Sequence, residues 1–130
     1  MTEQELYQMT PQQLTETMLK GLVLQYEQIG FAREEHRFDD ANIRLQKAYQ
    51  LLIKLQDGLN DDGGIITAQL DQLYRYMAEQ TLQVYTQPHV LPELLQLAEE
   101  LLITWQAASL NKDRPLVRAA HHERYEGMDY

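Results

Sequence analysis

The sequence predicts an all-α protein: an antiparallel four-helix bundle with a short N-terminal arm and a flexible C-terminal tail. The first observation is a pair of apolar stripes around residues 47–77, KAYQLLIKLQDGLNDDGGIITAQLDQLYRYM. Leu45, Ala48, Leu52, Leu55 and Leu59 recur at three- and four-residue steps, and Ile66, Leu70, Leu73, Met77 and Val84 do the same, as the buried faces of two helices must. The second is the run Gly58-Leu59-Asn60-Asp61-Asp62-Gly63-Gly64 between them. It supplies turn conformations that other residues resist, and a short turn brings the two stripes face to face. The third is a composition rich in Leu, Gln, Glu and Ala, with only 6 Gly and 4 Pro in 130 residues, which favours helix.

Taken in order, residues 1–9 form a polar arm carrying Leu6, Tyr7 and Met9. Thr10-Pro11 opens the first helix, with Thr10 as N-cap, Pro11 at the first helical position and Gln13 completing a capping box. This helix is expected to reach about His36. Leu14, Met18, Leu22, Ile29 and Ala32 form its inner face, widened by Leu19, Val23 and Tyr26, and Gly21 at the edge reads as a close helix approach. Phe38-Asp39-Asp40 starts the second helix, one aspartate capping and both complementing the helix dipole, and it ends near Leu59. The third runs from Gly64–Ile66 to before Pro88, with Tyr74 and Tyr85 flanking its stripe. After the break at Pro88–Pro92 the fourth spans about Leu91 to Leu110. Its apolar face, which includes Leu94, Leu97, Ala98, Leu101 and Trp105, is wide enough either to be buried on two sides or to line an open groove. Residues 112–130 mix charges with Pro115 and Gly127 and read as a tail, although Leu116, Val117 and Ala120 suit a short docked turn. The chain is thus one domain, 1–130, with its core at about 10–111.

Several function classes are excluded by what the chain lacks. A net charge of −9 argues against nucleic acid. No apolar run is long enough for membrane insertion, the N-terminus does not read as a signal peptide, and there is no cysteine, so a cytoplasmic protein is expected. No cofactor or metal is expected. The Glu-x-x-His pairs of di-iron bundles are missing. A calcium loop counted from Asp57 would put Leu59 and Ala68 at its third and twelfth ligand positions. His121-His122-Glu123 stands in the tail. No phosphate loop or nucleophile motif is present, so no enzymatic activity is expected.

The ordered set Thr10-Pro11-Gln12-Gln13-Leu14, Gly21, Lys47-Ala48, Leu55, Leu59, Gly63-Gly64, Leu73-Tyr74-Arg75-Tyr76-Met77 and Trp105 resembles the flagellar export chaperone family, FliS, over residues 10–107. The chain departs from that family at Leu19-Lys20, at Val84-Tyr85 and in its shorter N-terminal arm. The resemblance implies a protein of the bacterial cytosol that binds the disordered C-terminal segment of flagellin, prevents its premature polymerisation and assists its export. It also implies docking on an export gate component, with Tyr7 as the candidate tyrosine, and an N-terminal arm that can cover the empty groove; the shorter arm here bears on that covering, and a homodimer of the unliganded chain is an expectation. The alternative is a helical-bundle signalling or adaptor protein, such as a histidine-phosphotransfer-like module. His36, the single helix-borne histidine, stands at a helix end without the Lys-Gly that such modules carry after it.

Partner-binding candidates follow from helical phase. Leu24 and Phe31 stack seven residues apart among Glu16, Lys20, Glu27 and Glu35; Ile43 and Ile53 leave the second stripe; Tyr76 leaves the third. Large apolar groups that a four-stripe core does not need are expected to meet a partner.

Overall fold

A computed structural model describes residues 8–59 and 64–112. Tyr7 and the tail beyond Lys112 therefore lie outside the described residues. Four helices follow one another: α1 (Pro11–Glu34), α2 (Phe38–Asp57), α3 (Gly64–Gln83) and α4 (Leu91–Lys112), with a single 3₁₀ turn at Pro88–Val90 leading into the last. The boundaries are within a few residues of those expected.

The capping box forms as expected. Gln13 N–H donates to Thr10 Oγ1 at 3.1 Å, and Thr10 N–H donates to Gln13 Oε1 at 3.0 Å. These bonds satisfy two donors that a helix start leaves free. The other end of α1 closes on a residue the sequence did not single out for this role. His36 takes φ 61°, in the left-handed region. Its N–H donates to Arg33 C=O at 3.0 Å, and Arg37 N–H reaches back to Ala32 C=O at 2.7 Å. This is the Schellman arrangement, which usually employs glycine.

One expectation is corrected at the start of α2. The N-cap is Arg37, and no side chain caps the helix there. Arg37 closes α1 and opens α2 at once, so no separate aspartate cap fits between them. Asp39 and Asp40 fall in the first turn, where they complement the dipole, and Asp40 accepts from Arg37 and Arg44.

Each helix buries one stripe. Leu19, Leu22, Tyr26, Ile29 and Ala32 of α1 meet Leu45, Ala48, Leu52 and Leu55 of α2, then Tyr74, Met77 and Ala78 of α3 and Leu94 and Ala98 of α4. Burying each of the larger groups contributes about 1.5–3 kcal/mol. The inner face of α1 is turned slightly from the expected one: Leu19 and Tyr26 are at its centre, and Leu14 is exposed. Tyr85 is also exposed, because α3 ends at Gln83 and the chain leaves helical phase just before it. A Cβ on Gly21 would stand 3.5 Å from Leu51 Cδ1, so α1 and α2 approach closely there and still leave room for a methyl group.

The helices form a ring with one weak seam. α1 packs most extensively on α2, α2 on α3 and α1 on α4, while α3 and α4 touch far less. Of the two outcomes open for α4, the structure shows the second: one side is packed on α1, and the side toward α3 stays partly open.

Candidate partner-binding surface

Among the described residues, three apolar clefts mark places where the ring is imperfectly closed. Between α1 and α4, Phe31, Gly30, Pro88, Leu91, Pro92 and Leu95 line a cleft of about 530 Å³, with Glu27 and Glu34 also on its wall. In the α3–α4 seam, Leu70, Leu73, Tyr74, Leu101, Trp105 and Ala108 line one of about 420 Å³. Between α2 and α3, Ile43, Leu45, Leu82 and Tyr85 line a third of about 360 Å³. The first and third lie at the same end of the bundle on opposite sides, since α1 and α3 end there and α2 and α4 begin there.

The residues singled out by phase are distributed over this surface, and no single cleft gathers them. Phe31 (55% exposed) is a wall of the α1–α4 cleft, and Ile43 (56%) is a wall of the α2–α3 cleft. Leu24 (50%) stands on α1 outside the three clefts. Ile53 is half-buried rather than exposed. Tyr76 is partly exposed, and its hydroxyl donates to Glu93 Oε1 at 2.9 Å, a bond from α3 across the seam to the first turn of α4. That hydrogen bond, aided by burial and the carboxylate charge, holds the Tyr76 phenol above its ordinary pKa.

Two more bonds fasten the far end of α4. Trp105 Nε1 donates to the Gln12 carbonyl at 3.2 Å, and Gln106 Nε2 donates to Glu16 Oε2 at 3.2 Å. Bonds from Gln106 and then Lys20 hold the Glu16 carboxyl below its ordinary pKa against the opposing pull of burial. Trp105 therefore both lines the seam and ties α4 to the start of α1.

Sequence reasoning missed Leu82, Ile103 and Leu110, all exposed, and Gly30. Leu82, Ile103 and Leu110 had a usable signal: each stands beside a stripe on a charged or polar face, as Ile43 does. Gly30 had none, because its place in a cleft depends on where α4 lands. Among the described residues no helix is long and apolar enough to cross a membrane, and no three His, Cys, Asp or Glu side chains gather as a metal site would need.

An acidic helix bundle that leaves apolar clefts between its helices has the geometry on which helix-in-groove binding modules are built. The family model described as "Flagellar protein FliS" matches residues 1–112, and the chain belongs to that family. It is similar to the flagellar secretion chaperone FliS of Vibrio cholerae serotype O1, 27% identical over 99 residues that cover 74% of this chain and 73% of the relative. No solved structure matches it.

Proposed function

We propose that this protein is a flagellar secretion chaperone of the bacterial cytosol. It binds the disordered C-terminal segment of flagellin one to one, keeps it from polymerising before export and presents it to an export gate component. It performs no catalysis. The observation that carries this reading is membership of the FliS family by a chain whose bundle keeps three apolar clefts open. A disordered segment that becomes helical on the bundle sets its apolar side chains into such clefts. Ordering the segment offsets part of the gain, which leaves an affinity that export can reverse. Phe31, Ile43, Leu24, Ile53 and Tyr76 are proposed contacts, and Tyr7 a proposed docking residue. Without a client, the same clefts favour pairing as a homodimer.

Calorimetry tests the proposal directly. Full-length flagellin should bind with one-to-one stoichiometry, and flagellin lacking its C-terminal segment should not bind. Equal binding of both forms, or of neither, would sink the reading. The signalling alternative has no support at His36, whose exposed ring packs edge-on against Phe38 at the closing turn of α1, 5.7 Å between centroids.

A further inference from the structure

Gly30 stands inside α1, where the usual reasons for glycine do not apply. Its backbone is ordinary helix, and a Cβ built on it would meet nothing closer than Leu91 Cδ2 at 3.8 Å, an ordinary contact. Alanine would suit a helix interior better. What a side chain at this position would remove is space, because Gly30 lines the α1–α4 cleft and a Cβ built on it would point toward Leu91 across it. Glu27 and Glu34 come three residues before and four residues after it, on the same helical face and on the wall of the cleft. Arg33, the other charged residue of the wall, has its guanidinium carbon 5.5 Å from the Phe38 ring centroid, toward the α1–α2 turn. The α4 side of the cleft contributes no charge.

We infer that Gly30 is a specificity-determining notch. It admits one large apolar side chain of the bound flagellin segment, and Glu27 and Glu34 select basic residues about one turn before and after that anchor. This rests on the flagellin reading above and adds the chemistry that the cleft selects: a leucine-, methionine- or phenylalanine-sized group flanked by lysine or arginine. A glycine that served only the fold would not predict this combination of open space over its Cα in a cleft and two carboxylates on the same wall.

The test separates fold from recognition. Gly30→Ala should raise Tm by about 2–5 °C, as a helix-interior glycine replaced without strain does, and yet weaken flagellin binding. Gly30→Leu fills the notch and should weaken binding by roughly tenfold or more, without lowering Tm. The pair Glu27→Lys and Glu34→Lys should weaken binding at low salt and flatten its salt dependence. Unchanged affinity in Gly30→Leu, or a lowered Tm in Gly30→Ala, would overturn the inference while leaving the chaperone reading intact. If the unaltered protein does not bind flagellin, the chaperone reading falls and the notch is tested alone with two helical peptides. Both carry one central leucine, one with lysine flanks and one with glutamate flanks. The lysine peptide should shift the amide resonances of Gly30 and Leu91, and the glutamate peptide should not. Equal response to both peptides, or to neither, would overturn the notch as well.

Discussion

Tyr26 shows how a single side chain can report the packing of the bundle. It is fully buried on α1, and its hydroxyl lies 2.7 Å from Thr81 Oγ1 on α3, while Thr81 donates its own proton to Met77 C=O at 2.6 Å. The Tyr26 proton therefore points to Thr81. Burial pushes the phenol above its ordinary value near 10. The folded chain thus holds a proton that the unfolded chain releases. This contribution to stability is fully present below pH of about 10 and is lost as pH rises beyond it. Tyr74, raised by the same cause, adds in the same direction. Tyr26→Phe should lower neutral-pH stability by about 1 kcal/mol and remove part of the alkaline slope, as urea denaturation at a series of pH values would show. An alkaline slope equal to that of the unaltered protein would contradict this role. Tyr26 was legible in the sequence as a widening of the apolar face, but its partner was not. Thr81 lies 55 residues away, and only the register of α1 against α3 makes it the partner. Ile53 shows the same limit. Phase placed it outside the stripe, but it is half-buried in the fold, so Ile53→Ala should cost about 1–2 kcal/mol in a thermal melt, whereas Phe31→Ala should cost little.

At the scale of elements, the number, ends and stripes of the helices were legible because caps, glycines and prolines are local signals. The sides on which α4 would be covered were not, because a wide stripe of leucines does not tell which neighbour meets it. The structure packs α4 on α1 and leaves the seam to α3 thin. α4 is held at its ends by polar bonds, Glu93 to Tyr76 near its start and Trp105 to Gln12 near its end. An element with few apolar neighbours on one side opens more readily than the core. Trp105→Phe retains an aromatic body in the seam and removes the indole donor. Amide hydrogen exchange should accelerate in the last turns of α4 in this variant, while the α1–α2 amides of Leu22 and Leu52 keep their protection. Uniform acceleration through all four helices would show that Trp105 supports the whole fold instead.

For the whole molecule, the proposed chaperone function makes the arrangement of the clefts decide how a client would be held. Phe31 and Ile43 stand at the same end of the bundle on opposite sides, in the α1–α4 and α2–α3 clefts. A short helix seated in one cleft could reach only one of them, whereas a long segment that wraps the bundle reaches both. Each side chain is roughly half exposed in the free protein, so truncation removes little folding energy. On full burial against a client, each would contribute up to about 1.5–3 kcal/mol. Their clefts share no lining residues, so losses from the two truncations should add. Phe31→Ala and Ile43→Ala should each weaken flagellin binding, and the double variant should weaken it by about the product of the two factors, with Tm nearly unchanged throughout. Calorimetry on the four proteins measures this cycle. A loss confined to Phe31→Ala would place the client on the α1–α4 face alone, and a loss confined to Ile43→Ala would place it on the α2–α3 face. Either result would replace the wrapping mode with a single seated helix.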